Sequence, residues 1–260
     1  MSPLISILLP TYEPDPAHLR EAIESVLGQT ESRWQLLVHD DASTVNVASI
    51  VEPFLKDSRI RFSRNPKRLG IGGNWNAVLA LALSASPYLQ FLFQDDTWHP
   101  RYLESALQTL ERYPEAAFVT VGHAYVLEKE DVKLRGKFTH VTAMRKSMLR
   151  EGLNNGKAFL RSWIRRSLHP NVIGEPSFVM LRKTAVEEAG AFRTDLQQCL
   201  DLEYWLRIVA RHDFAVCEEE LGTFRVHSKG ASAAHYRNFW RRLERPRILM
   251  EFFLRRPLQR

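Results

Sequence analysis

The sequence predicts an α/β domain built around a mostly parallel central sheet, and three observations predict it. Short apolar runs alternate with stretches of helical periodicity between residues 4 and 122. A chain of 260 residues, 45% of them hydrophobic, can bury the core of one such domain with a small appendage. Three of the apolar runs end in acidic clusters, at the end of a strand where open α/β sheets bind their ligands.

The elements follow in order. LISILLP (4–10) reads as the first strand, and residues 16–29 place Leu19, Ile23, Val26 and Leu27 at helical spacing. WQLLVHDD (34–41) is the second strand, 47–55 a helix, and RIRFSR (59–64) the third strand. A helix over 74–85 leads to YLQFLF (88–93), and a helix over 100–113 leads to AAFVTVG (116–122). Strands separated by helices pair in parallel through right-handed crossovers.

That topology gathers the charges. PTYEPD follows the first strand, HDDAS the second and QDDTW the fourth, so parallel pairing carries Glu13, Asp40, Asp41, Asp95 and Asp96 to one rim. A single cluster reads as well as a helix N-cap; three on one rim read as a site. Adjacent carboxylates kept ionised beside an apolar wall require a cation, and oxygen ligands suit Mg²⁺ or Mn²⁺ with substrate phosphates completing the shell. A nucleoside diphosphate is the natural partner.

Composition sets limits. Cys199 and Cys217 are too few for a disulfide scaffold, and the first residues lack a basic n-region and a long apolar run, so a cytoplasmic location is expected. No apolar run approaches the roughly 20 residues that span a bilayer. The net charge of +6 falls entirely on residues 237–260, whose eight Arg and two Glu leave the rest of the chain neutral. Apolar residues interspersed with Arg there read as a basic amphipathic helix, broken near Pro246, that either lies on the anionic inner face of the cytoplasmic membrane or docks on another domain or subunit. Nucleic acid is not expected as a partner, since the basic residues lack any accompanying motif. GIGGNW (70–75) is not a dinucleotide fingerprint, because Trp75 occupies its third glycine position and the segment does not directly follow the first strand.

The segments ISILLPTYEPD, LREAIESVLGQT, WQLLVHDDAST, RNPKRLGIGGNWNAV, YLQFLFQDDTWHP, GEPSFVMLRKTAVEEAGAF, LDLEYWLRI and TFRVHSKGAS, in this order over residues 4 to about 232, resemble glycosyltransferase family 2. The resemblance implies a Rossmann-like, A-type glycosyltransferase fold over 1–232, with a nucleotide-sugar half (1–122), an acceptor half (123–232) and the helical extension 233–260. It implies nucleotide contacts from Pro10, Thr11, Tyr12 and Glu13, base recognition by Asp41, and a diphosphate-facing Asn76. Asp95 and Asp96 match the family's metal motif, with Asp96 the direct ligand and Asp95 nearer the ribose; Gln94 stands where a further Asp is common. Asp201 matches the acceptor-activating base, although Leu200 replaces the usual Glu before it. His227 matches a residue that in some relatives completes the metal or diphosphate site, with Arg225 and Lys229 beside it, and Glu175 lies on the acceptor side. The implied donor is a UDP-hexose or dTDP-rhamnose, and the acceptor a saccharide or lipid-linked hydroxyl in bacterial surface-polysaccharide synthesis.

The chemistry has independent requirements. Sugar transfer needs the departing phosphate neutralised, by a Mn²⁺ or Mg²⁺ at Asp96 and a cation such as Lys229, and needs a carboxylate such as Asp201 to take the acceptor's proton; direct displacement inverts the anomeric centre. The bland alternatives are an Asp201 that caps its helix beside an exposed Glu203–Arg207 pair, a structural His227, and core roles for Trp98 and Trp205 in place of sugar stacking. Two other classes stay open: a sugar-nucleotide nucleotidyltransferase, which would need a glycine-rich loop after the first strand, and a catalytically silent sugar-nucleotide-binding module.

Overall fold

The structure is a computed structural model, and it describes residues 3–128, 131–227 and 240–255, the last segment without the side chains of 240–242 and 255. Strands β1 (Ile5–Thr11), β2 (Trp34–Asp40), β3 (Ile60–Arg64) and β4 (Tyr88–Phe91) pair in parallel in the order β3-β2-β1-β4. Every residue of β1 and β2 is buried, which accounts for their continuous apolar runs. Helices α1 (Pro16–Leu27), α2 (Val47–Val51), α3 (Gly70–Ala82) and α4 (Tyr102–Arg112) make the crossovers.

The two faces of the sheet carry separate cores. On one, Ile7, Leu9, Ile23, Val38, Val51 and Leu103 pack α1, α2 and α4. On the other, Leu8, Leu37, Val78, Phe91 and Phe118 meet α3 and, further along the chain, α6 (Gly156–Arg165), α7 (Lys183–Ala189) and α8 (Leu200–Val209).

The strand at 116–122 departs from the expected parallel place beside β4. It is part of a longer strand, β6 (Ala116–Leu127), and β8 (Val179–Arg182) is inserted between the two, antiparallel to both. Buried Gln90 of β4 explains the insertion: its amide donates to the carbonyls of Pro176 (3.2 Å) and Ser177 (3.2 Å), and Tyr102 donates its hydroxyl to Gln90 Oε1 (3.2 Å). A fully buried amide needs these partners, and the entry to β8 supplies them.

Beyond β6 lie α5 (Val132–Met148), β7 (Gly152–Asn154) and β9 (Asp213–Val226). β9 runs parallel to β6 with an irregular register at Gly122, where an added Cβ would stand 2.6 Å from the Glu219 carbonyl. The two-residue strand β5 (Thr97–Trp98) pairs antiparallel with Thr223 and Gly222 of β9, so the Asp95–Asp96 turn is tied both to β4 and to the end of β9.

The last helix, α9 (Trp240–Arg255), runs unbroken through Pro246. A mid-helix proline costs about 3 kcal/mol. Buried Ile248, partly buried Leu249 and Phe252, and polar contacts on either side of the proline offset that cost, so the expected break does not occur. The inner face of the helix docks on its own domain.

Candidate active site

The carboxyl ends of β1, β2 and β4 open on the same rim, with Thr11 in register with Asp40 and Leu8 with Phe91. After β1 the chain turns at Glu13, whose φ of 44° lies in the left-handed region that non-glycine residues seldom adopt. The Glu13 carboxylate accepts from Thr44 N–H (2.7 Å) and the Thr44 hydroxyl (3.0 Å), and these bonds hold its pKa below the ordinary range. Gln94 clamps the neighbouring residue, accepting from Tyr12 N–H (2.9 Å) and donating to the Tyr12 carbonyl (3.2 Å). The Tyr12 ring carries the Arg68 guanidinium at 4.1 Å, an aromatic and cationic surface suited to a base. Pro10 and Thr11 are buried in the strand beneath.

Asp41 is 2% exposed. Its carboxylate accepts from Leu69 N–H (2.7 Å), Gly70 N–H (2.8 Å) and Asn65 Nδ2 (2.9 Å). It thereby satisfies the start of α3, whose own N-cap residue, Leu69, offers no side-chain bond. This is why α3 begins four residues before the expected 74. Asn76, expected to face the diphosphate, instead pairs both ends of its amide with Phe192, donating to the carbonyl (2.9 Å) and accepting from the N–H (2.8 Å). Its neighbour Asn74 is the amide at the strand ends, donating to the Thr11 carbonyl (3.2 Å).

The fourth strand gives the acidic turn. Asp96 is 2% exposed; one oxygen accepts from Arg225 N–H (3.3 Å), and Oδ2 has no hydrogen-bond partner among the described residues. Burial, and then the charges of Asp95 and Glu175, hold its carboxyl well above the ordinary range. Arg225 also donates Nε to the Asp95 carbonyl (3.2 Å) and bonds Glu21, so it fastens the turn to β9 and α1.

Asp95 faces two imidazoles. His227 Nε2 stands 3.0 Å from Asp95 Oδ2, and that carboxylate raises the imidazole's pKa. His18 of α1 places Nδ1 3.9 Å from Asp95 Oδ1 and Nε2 3.1 Å from Glu128. The ligating atoms of His18, Asp95 and His227 lie within 4.8 Å of one another, a group able to hold a metal ion. His18 Nδ1, Asp95 Oδ1 and Asp96 Oδ2 are buried without hydrogen-bond partners among the described residues, so the donor set fits a divalent cation. The sequence reading missed His18, and its spacing in α1 gives no signal. Lys229 lies outside the described residues.

A pocket of about 130 Å³ is lined by Asp201, Glu175, Asn171, Lys137, Phe138 and Arg245 among others. Asp201 lies inside the first turn of α8, whose N-cap position is Cys199, so it does not cap the helix. Asn171 donates Nδ2 to Asp201 Oδ2 (2.8 Å) and to the Gly174 carbonyl (3.2 Å). Burial pushes the Glu175 carboxyl upward, but His123, with Nε2 at 3.4 Å, outweighs it and leaves the pKa below the ordinary value. The Glu203–Arg207 pair is buried on the Glu203 side, contrary to the exposed pair expected, because Arg207 also reaches the carbonyls of Ala189 and Ala191. Neither tryptophan is open to a sugar: Trp98 stacks on Tyr102 at 4.6 Å and donates to the Ser177 carbonyl (2.8 Å), while fully buried Trp205 donates to the Gly174 carbonyl (2.9 Å).

α8 is held from an unexpected quarter. Glu244 of α9, 4% exposed, accepts from the N–H groups of Gln197 (2.6 Å), Gln198 (3.0 Å) and Cys199 (2.9 Å), and so closes the start of the helix that carries Asp201.

Comparison with known proteins agrees with this architecture. The model of glycosyl transferase family 2 matches residues 6–187. The protein MT1568 of Mycobacterium tuberculosis is 35% identical over 219 residues, 83% of this chain and 64% of that protein. WfgD of Escherichia coli, a UDP-Glc:alpha-D-GlcNAc-diphosphoundecaprenol beta-1,3-glucosyltransferase, is 36% identical over 107 residues, 41% of each chain. This chain thus spans less than two thirds of the length of both relatives. Among solved structures, S. aureus TarS with UDP-GlcNAc superposes with a TM-score of 0.68 at 16% identity, covering 88% of this chain and 61% of that one. The mannosyltransferase PcManGT of Pyrobaculum calidifontis, with GDP-Man and Mn²⁺, gives 0.63 at 15% identity, covering 91% and 61%. At these identities the likeness is one of fold.

Proposed function

The chain belongs to glycosyl transferase family 2, and from that premise we propose that it is an inverting, divalent-metal-dependent glycosyltransferase. In this reading it moves a sugar from a nucleoside diphosphate to a hydroxyl of a saccharide or lipid-linked acceptor in surface-polysaccharide synthesis, with a UDP-hexose or dTDP-rhamnose as donor. The observation that carries it is the acidic turn itself: Asp96 Oδ2 and Asp95 Oδ1 are buried without hydrogen-bond partners among the described residues, beside His18 and His227, while Glu175 and Asp201 line one pocket. The neighbours solved with UDP-GlcNAc and with GDP-Man and Mn²⁺ support a nucleotide-sugar donor.

The roles follow from position. Tyr12, Glu13 and Asp41 border the base and ribose, with Pro10, Thr11 and Asp41's hold on α3 fixing their backbone. Asp96 and His227 hold the ion beside Asp95, with Arg225 bracing the turn. When bound, Mn²⁺ or Mg²⁺ supplies Lewis-acid neutralisation of the departing diphosphate, assisted by Lys229. Asp201 receives the proton of the attacking hydroxyl, oriented by Asn171. The first strand is followed by PTYEPD, which has no glycine for a nucleotidyltransferase's phosphate loop. The outer face of α9 is assigned to the inner membrane surface.

The test pairs binding with turnover. UDP, dTDP and GDP sugars with Mn²⁺ or Mg²⁺ are screened by thermal shift, and at least one combination is expected to stabilise the protein. Asp201→Asn should keep that shift while lowering turnover by about 10²–10⁴. Wild-type turnover in the variant, or no shift with any combination, defeats the proposal.

A further inference from the structure

We propose that His18 is itself a ligand of the divalent ion, that Asp95 joins Asp96 and His227 in holding it, and that the resulting pair of imidazoles makes the site prefer Mn²⁺ to Mg²⁺. The inference rests on the reading above for the ion's presence and adds a ligand from α1, an element outside the acidic turn.

Three observations converge. The first is spacing: ligands about 2.1 Å from an ion stand about 3 Å apart at right angles and about 4 Å apart when opposed. His227 Nε2 lies 3.0 Å and His18 Nδ1 3.9 Å from the two oxygens of Asp95, and the rings meet edge to face with centroids 5.6 Å apart.

The second is the state of the facing atoms. His18 Nδ1 and Asp95 Oδ1 are buried and too far apart for a hydrogen bond, and neither has another partner among the described residues. Buried polar atoms are nearly always satisfied, so an arrangement that aims two of them at one point implies a bound group.

The third is the far side of the ring. His18 Nε2 lies 3.1 Å from Glu128 Oε1, and a carboxylate on the remote nitrogen is the habitual support of a metal-binding histidine. A hydrogen bond from Nε2 to that carboxylate would select the tautomer in which Nδ1 presents a lone pair toward Asp95 and His227. An imidazole that served only as a cation would need no unpaired nitrogen there.

The ligand chemistry then decides the ion. Mg²⁺ is strongly oxygen-seeking and dehydrates reluctantly, whereas a site that sets two nitrogens beside its carboxylate oxygens favours a first-row transition ion. Mn²⁺ accepts both sets.

The experiment titrates Mn²⁺ and Mg²⁺ alone, without nucleotide, into the full chain, following free Mn²⁺ by electron paramagnetic resonance and bound nitrogen by pulsed methods on the same samples. Wild-type protein should bind Mn²⁺ at least about tenfold more tightly than Mg²⁺ and carry the signature of two coordinated imidazoles. His18→Gln should weaken Mn²⁺ about tenfold or more, change Mg²⁺ little and leave one imidazole. Glu128→Gln keeps the ligand but removes its support, and should weaken Mn²⁺ about 10–100-fold. Wild-type Mn²⁺ affinity with unchanged nitrogen couplings in both variants, or in Glu128→Gln alone should the first fail to fold, overturns the inference and leaves His18 as an ion-pair partner. Wild-type protein that binds no Mn²⁺ overturns it equally. Because no sugar is transferred in this measurement, failure of the proposed reaction would show separately.

Discussion

Asp96 sets the stability of the fold against its proposed role as a metal ligand in a single side chain. It is 2% exposed, its Oδ2 lacks a partner among the described residues, and the neighbouring carboxylates of Asp95 and Glu175 oppose its charge. Burial makes ionising this carboxyl costly, so Asp96→Asn, which carries no charge and retains an oxygen for Arg225 N–H, should stabilise the metal-free protein by about 1–3 kcal/mol. The same change should abolish the further stabilisation given by Mn²⁺ with nucleotide. Denaturant melts with and without both ligands measure the two effects, and a variant less stable than wild type when metal-free would contradict the burial argument. Asp95, Asp96, Asp201 and His227 were open to proposal from the sequence because each sits in a short local pattern. Asn171, His18 and Glu244 were not, because each matters only through a partner distant in the chain: Asn171 through Asp201, His18 through Asp95, Glu244 through Cys199.

At the scale of elements, α8 and α9 form one mechanical unit. Removing the Glu244 carboxylate leaves three main-chain N–H groups at the start of α8 without their acceptor, so Glu244→Ala should cost about 2–3 kcal/mol of stability and lower turnover while nucleotide binding persists. Thermal melts and a comparison of kcat with donor KM separate these effects. Flanking this contact, Arg193 bonds Asp195 (2.9 Å) and also pairs with Glu251, and Arg247 bonds Glu251 (2.8 Å). Arg193 first, and Arg247 after it, hold both carboxyls below their ordinary ranges. A depressed carboxyl contributes stability above its unfolded pKa and loses it as pH falls through the folded value. The deficit of Asp195→Asn in melting temperature should therefore be steady from about pH 5 upward and narrow progressively as the pH falls below about 4 toward the depressed folded value. A deficit that persists undiminished at pH 2 would show that packing, and not the ion pairs, is responsible. Helical periodicity revealed α8 and α9, but not their contact. The sequence also misjudged Pro246 and the start of α3, since in both places tertiary partners supply what local propensity withholds.

The whole molecule has a neutral body and one basic, two-faced extension, and this asymmetry gives the membrane proposal its physical basis. The inner side of α9 is consumed by Glu244, Ile248 and Phe252, whereas Leu243, Met250 and Leu254 remain 63%, 60% and 84% exposed. These three fall at intervals of seven and four residues, hence on one outward face. No helix among the described residues is long and apolar enough to cross a membrane, so any membrane contact made by these helices would be interfacial. Three partly inserted side chains bind weakly by themselves, and the net charge of +6 carried by residues 237–260 adds attraction of about 1 kcal/mol for each basic residue close to an anionic surface. The two contributions predict different sensitivities. Full-length protein should sediment with vesicles rich in phosphatidylglycerol and much less with neutral phosphatidylcholine, and raising the salt from about 0.1 M to 1 M should release it as the screening length shrinks. The double variant Leu243→Asp, Met250→Asp lies on the outer face and leaves the Glu244 contact intact, so it should lose vesicle binding while retaining the melting temperature and the response to nucleotide. If wild type and variant remain equally in the supernatant with anionic vesicles, the outer face of α9 has no affinity for lipid and the peripheral location is refuted. Equal sedimentation of both would instead assign the attraction to basic charge alone and remove the apolar stripe from the account.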